Sequence, residues 1–267
     1  MLRARKRFTA ILSTLAFLSL AGIAKAETTT PNSGDWRFEF TPYAWFTGID
    51  GTIGVKGEKT NIDVTYSDLE QYISIANMGI FEASKDRWIF AVEGLFVKLN
   101  NEETKTRDPL GTQKITVNAE FKQELYQGSV GYRVVDSRTK VDVFGAARYT
   151  YLYSETKVKD VSSGPILPGG KVKIDGSQSW TDPVIGVRVL HPINEHWTLM
   201  GLVDVGGFGA NGDIDRTYQG IAGVNWQFSK HFAAKAGYRY LYQNYQDDGF
   251  VWDVVMQAPY IALGIQF

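Results

Sequence analysis

Tyr260-Ile261-Ala262-Leu263-Gly264-Ile265-Gln266-Phe267 ends the chain and alternates without a fault. Ile261, Leu263, Ile265 and Phe267 share one face, and Tyr260, Ala262, Gly264 and Gln266 share the other. Strict period two is the mark of a strand whose two faces meet different surroundings. Here the uniformly apolar face carries only hydrocarbon, while the opposite face is small or polar. A strand lying between lipid and a crowded polar lumen has this pattern.

The alternation recurs backwards along the sequence. Phe232, Ala234, Ala236, Tyr238, Tyr240 and Tyr242 stand opposite Lys235, Gly237, Arg239 and Gln243. Trp197, Leu199, Val203 and Val205 stand opposite Thr198, Met200 and Asp204, and Trp36, Phe38 and Phe40 stand opposite Arg37, Glu39, Thr41, Tyr43 and Trp45. The expected strands run near 36–47, 73–84, 87–99, 117–135, 140–154, 179–191, 196–207, 216–229, 231–245 and 252–267. Short links (84–87, 136–139, 192–195, 229–230) alternate with longer ones (48–72, 100–114, 154–179, 208–216, 245–251). Short turns on one side and longer loops on the other predict an all-β fold, a transmembrane antiparallel up-and-down β-barrel of about ten strands. Residues 51–66 alternate well enough to form a hairpin, and a count of twelve follows if it joins the wall. Ser67 is placed to cap a helical start at Glu70, and Pro259 is expected to mark a bulge or register change.

The aromatic residues sort by strand end. Trp36, Trp88, Trp197, Trp226, Phe232 and Phe267 fall at short-turn ends of the apolar faces, and Tyr149, Tyr151, Tyr238 and Tyr240 approach the long-loop ends. Amphipathic rings prefer the headgroup level, so two belts mark two membrane interfaces.

The first 26 residues differ from all this. Arg3, Arg5, Lys6 and Arg7 precede an apolar run from Phe8 to Ile23, and Ala24-Lys25-Ala26 supplies small residues at the positions of a cleavage site. This is the layout of a secretory signal peptide, giving a leader over 1–26 and one barrel domain over 27–267. The leader holds 5 of 28 basic residues and none of 29 acidic ones, so the remainder has 23 against 29 and a net charge near −6. That balance argues against nucleic-acid binding, which needs basic residues on phosphates. With no cysteine in the chain, disulfide scaffolds and thiolate zinc sites are excluded.

The closing strand resembles that of the bacterial outer-membrane barrel class, which ends on an aromatic residue after alternate apolar positions. The middle of the chain is similar to uncharacterised, porin-like Gram-negative barrels with a Ser-Asp-Leu segment (Ser67-Asp68-Leu69) before a strand such as Ile75–Ala83. The resemblance implies residence in the outer membrane with both termini periplasmic. It also implies contact with outer-membrane lipid and lipopolysaccharide, and recognition by the barrel-assembly machinery through the last strand.

The polar faces direct a definite set of charges inward: Arg37, Glu39, Glu82, Glu93, Arg133, Asp142, Arg148, Asp182, Arg188, Asp204, Lys235 and Arg239. The signs balance, unlike the single-sign lining of a strongly ion-selective pore. Two functions are compatible with this. The leading one is a narrow channel passing or binding a small polar solute through the charge-balanced lumen. The other is a non-conducting structural or interaction barrel working through loops 48–72 and 154–179, the second containing Ser162, Ser163, Gly164, Pro165, Pro168, Gly169 and Gly170.

Catalysis is not expected. Barrel hydrolases of the phospholipase or lipid A deacylase kind pair a histidine with a serine near the outer leaflet, and omptin-type proteases hold a histidine with acidic residues at the outer mouth. His191, His196 and His231 all lie at short turns. No cofactor or metal site is expected either; the acidic pairs Asp213 with Asp215 and Asp247 with Asp248 read as solvated loops.

Overall fold

A computed structural model describes residues 34–55, 57–106, 114–160, 171–210 and 212–267. The expected leader and Ser162 to Gly170 lie outside these residues. The elements are β1 (Arg37–Trp45), β2 (Ile49–Val55), β3 (Glu58–Val64), the single turn α1 (Tyr66–Leu69) and a 3₁₀ turn (Glu70–Tyr72). There follow β4 (Ile73–Lys85), β5 (Trp88–Thr106), β6 (Lys114–Asp136), β7 (Lys140–Asp160) and β8 (Lys171–Pro192). The last four are β9 (Trp197–Gly206), β10 (Ile214–Gln227), β11 (Phe232–Asp247) and β12 (Phe250–Gln266). All pairings are antiparallel between sequence neighbours from β4 to β12, and β1 joins β4 to β12 to close a ring. Ten strands make the wall. Closure pairs both edges of the sheet through Arg37↔Ser84 to Pro42↔Gly79, as a hydrocarbon surround requires of most backbone groups.

The exterior is apolar where a soluble protein would be polar. Val203, Val92 and Ile185 are 62%, 59% and 58% exposed, whereas Arg148 inside is 0% exposed. At the short-turn end, rings form a nearly continuous belt: Trp197 stacks on Trp226 at 5.7 Å, Phe228 on Phe232 at 6.2 Å, and Phe38 on Phe267 at 5.9 Å. Tyr149, Tyr238 and Tyr240 are exposed on the outer surface towards the other end.

The hairpin in the first long link forms but adds no wall strand. Trp45 pairs with Tyr260 and Asp50 with Val255, one unbroken register, so β2 is the continuation of β1 beyond a bend at residues 46–48. β3 folds back on the free edge of β2. The helical start is capped at Thr65 rather than Ser67: the Thr65 amide and hydroxyl donate to Asp68 Oδ2 at 3.0 and 2.6 Å.

Three expectations about the loops are corrected. β5 and β6 extend to Thr106 and from Lys114, and β7 and β8 to Asp160 and from Lys171, so most of the links at 100–114 and 154–179 is strand. Paired hairpins standing in water need no apolar face, so the lipid-type alternation faded although the ladder continued. The 245–251 link is a two-residue turn, Asp248-Gly249 with φ of 43° and 76°, the Asp-Gly geometry that suits strand twist. Loop lengths are therefore not strictly sorted. Pro259 causes no register change, since the β11–β12 ladder runs unbroken from Phe232↔Ile265 to Asp247↔Phe250. Trp252 faces inward and is 3% exposed, which removes the apparent slip of faces.

Candidate functional site

The interior is organised in layers. At the short-turn end lies an open vestibule of about 400 Å³, lined among others by Glu39, Glu82, Arg188, Lys235 and Gln266. Lys235 bonds Glu39, which also accepts from Gln266 at 2.8 Å. Arg188 donates to Asp142 at 2.9 Å and pairs with Glu82, and Arg133 reaches the same Asp142 at 2.8 Å.

Further in, the network is sealed from water. Arg148 donates to both oxygens of Asp204 at 2.9 and 2.8 Å, to Gln127 at 2.8 Å and to Thr217 at 2.8 Å. Arg239 pairs with Glu93, which also accepts from the Tyr43 hydroxyl at 2.5 Å. Gln219 ties the two pairs together, accepting from Arg239 at 2.6 Å and donating to Asp204 at 2.7 Å. These bonds join strands far apart in the wall, such as β11 to β5 and β7 to β9. Charges can be buried this deeply only because each has an opposite charge and further hydrogen bonds.

Beyond the charges the filling turns apolar. Leu95, Leu125, Leu152, Leu241 and Met256 are all at most 5% exposed and pack around Trp45, whose ring sits 4.8 Å from the Arg239 guanidinium carbon. Towards the long-loop end Trp180 stacks on Tyr245 at 4.5 Å, and Phe121 on Trp252 at 6.5 Å. Two inward glycines make room for the filling: a Cβ at Gly237 would stand 2.8 Å from the Tyr260 ring, and one at Gly223 would stand 2.5 Å from its hydroxyl.

The twelve expected inward charges are distributed as follows. Ten take part in the pairs above. Asp182, 1% exposed, lies beside Asp215. Arg37 is exposed at the short-turn rim. Asp215, expected in a loop, is a buried residue of β10. His196 and His231 are exposed in short turns, and His191 contacts Thr139 at 2.8 Å at the same end. Among the described residues, no cluster of three or more His, Asp or Glu side chains is placed to hold a metal. Sequence reasoning missed the uncharged partners Gln127, Thr217 and Gln219. Their alternation with outward apolar residues was a signal, but nothing local distinguishes a glutamine in a buried network from one in water.

No protein-family model matches the chain, and no curated protein does. Solved structures do. The outer membrane protease OmpT from Escherichia coli aligns with a TM-score of 0.55 at 10% identity, over 90% of this chain and 99% of that one. Ail, the attachment invasion locus protein of Yersinia pestis, aligns at 0.36 and 12% identity, over 88% and 100%. The translocator domain of the autotransporter NalP from Neisseria meningitidis aligns at 0.33 and 12%, over 89% and 90%. At such identities the likeness is one of fold. The OmpT alignment and the closed ring make this chain a single antiparallel β-barrel with an apolar exterior.

Proposed function

We propose that the protein is a non-conducting outer-membrane barrel whose working surface is the long-loop end, oriented to the cell exterior with both termini periplasmic. The observation that carries this reading is the sealed interior: Arg148, Thr150, Thr217 and Leu241 are each 0% exposed at mid-height, where a water-filled channel would need wetted side chains. The β5–β6 and β7–β8 hairpins, with strands of 19 to 23 residues, far exceed the roughly 10 residues needed to cross the membrane, and present the largest surface beyond it. Their outward faces carry paired charges, such as Lys98 and Lys122 on Glu120 at 3.0 and 2.9 Å, at a level suited to lipopolysaccharide headgroups. Insertion through recognition of the last strand by the barrel-assembly machinery belongs to the same reading. So does the absence of catalysis, because the three histidines sit at the opposite end from these hairpins.

A second reading keeps one observation in its favour. The polar vestibule of about 400 Å³ would serve as the inner half of a narrow passage for a small polar solute if the filling above it could move aside. Planar-bilayer recording of the folded protein decides between them. Absence of steps, together with partner binding lost on shortening the 100–120 and 154–178 hairpins, fits the first reading. Stable steps whose amplitude changes in Arg188→Gln and Arg239→Gln would overturn it in favour of the passage.

A further inference from the structure

The wall ladder is interrupted between β1 and β4. β1 pairs with β4 only from Arg37↔Ser84 to Pro42↔Gly79. Above that point β1 runs on beside β12 alone, while residues 73–78 of β4 pair only with β5. β3 ends at Val64 opposite Ile49, and the chain then passes through α1 and the 3₁₀ turn before β4 begins at Ile73. The gap thus has four borders: the Pro42–Gly79 pair below, residues 43–46 on one side, residues 73–78 on the other, and the helical turns above.

Burial agrees with an opening. Ser74, Ile75, Ala76 and Asn77 are four consecutive exposed residues, where an intact wall strand would cover every second one. A cavity of about 140 Å³ occupies the gap. It touches Tyr43 and Trp45 on the lumen face of β1, and Ala44 on the lipid face, so it reaches the unpaired edge of the strand. Tyr66 and Leu69 line it from above, Ala76 and Met78 from β4, and Leu95, Val97 and Phe121 from the lumen side. Ala44 lies eight residues along β1 from Trp36, about 20 Å higher at about 3.3 Å per residue and a tilt of about 40°. That depth is still inside an apolar band about 25 Å tall, on the long-loop side.

We propose that this window is a binding site for a small apolar molecule of single-ring size, taken laterally from the outer leaflet. The proposal uses the orientation given above but not the absence of conductance. Its volume is close to that of a dry cavity of roughly 150 Å³ that holds benzene. The rings of Tyr43, Trp45, Phe46, Tyr66 and Phe121 at its surface favour a flat aromatic guest through offset and edge contacts. Such a molecule leaves water readily because its apolar surface is removed from it, and the hydrocarbon beside the window already concentrates it.

The test uses the intact protein in nanodiscs with fluorobenzene as probe, read by 19F NMR, with heat-modifiable gel mobility reporting the fold. Saturable binding is expected, weakened about tenfold or more by Ala76→Phe, which fills the window. Met78→Ala enlarges it and should tighten binding of fluoronaphthalene relative to fluorobenzene. No saturable binding by the folded protein would overturn the assignment, as would equal binding by Ala76→Phe. If Ala76→Phe does not fold, an unchanged size preference in Met78→Ala overturns it. Binding seen in short-chain detergent and abolished by bilayer lipid would give the site to an acyl chain instead. Conductance is read separately, so failure here leaves the reading of the barrel as non-conducting intact.

Discussion

The charged waist of the barrel and the window above Pro42 are built from the same strands under opposite conditions. At the waist every strand is laddered to both neighbours, and Arg148–Asp204, Arg239–Glu93 and Arg188–Glu82 tie strands that are not neighbours. At the window β1 and β4 lose their ladder, and the interior offers mainly apolar contact beside Gln123 and Thr47. β11 and β12 keep sixteen consecutive pairs against six between β1 and β4. Wall integrity thus rests on two devices, backbone ladders and cross-lumen charge pairs, and the window is where both are relaxed.

The comparison breaks first if the waist is not rigid. Arg148→Met leaves Asp204 buried without its counter-charge and should cost about 3–5 kcal/mol in urea unfolding of the reconstituted barrel. A loss under about 1 kcal/mol would mean water reaches the pair. Hydrogen exchange sharpens the contrast next. Amides of residues 74–77 should exchange about a hundredfold faster than those of residues 236–243 in β11, because opening the window strand breaks one ladder rather than two. Equal protection would show the window closed by bonds other than the wall ladder.

Pro42→Ala supplies an amide on the β12 side of β1, the side that Phe38 and Phe46 also face and where the pairing skips residues 41 and 42. It should stabilise the barrel by about 1 kcal/mol at most and leave exchange across the window unchanged, measured by the same two methods. The smallest effect concerns α1, outside the wall strands. The Thr65 hydroxyl and amide hold the Asp68 carboxyl below the usual carboxylate range. A depressed carboxyl contributes its stabilisation above the ordinary value and loses it as pH falls through the lowered one. Exchange of the 66–69 amides should therefore accelerate on acidification below the ordinary carboxylate range, and Asp68→Asn should abolish that pH dependence.

Much of the wall was legible in the residues themselves. Ile261, Leu263, Ile265 and Phe267 alternate because one side meets lipid and the other the lumen, and that contrast repeats in each wall strand. The inward charges could be assigned by parity for the same reason. The hairpin extensions were not legible, because β7 residues such as Glu155 and Lys157 stand in water, where no apolar face is required. Trp252 misled because an inward tryptophan and a belt tryptophan look alike until a partner such as Phe121 is known.

Local sequence therefore determined most wall strands and the direction of most of their side chains. Those properties depend on the alternate projection of side chains, which is set within a few residues. Which arginine meets which carboxylate, and that the interior is filled, was decided only by closure of the ring. Arg239 and Glu93 are 146 positions apart and meet across the lumen. The window was also a tertiary outcome: Pro42 is an ordinary strand residue in the sequence, and becomes a border only because β4, rather than β3, pairs below it.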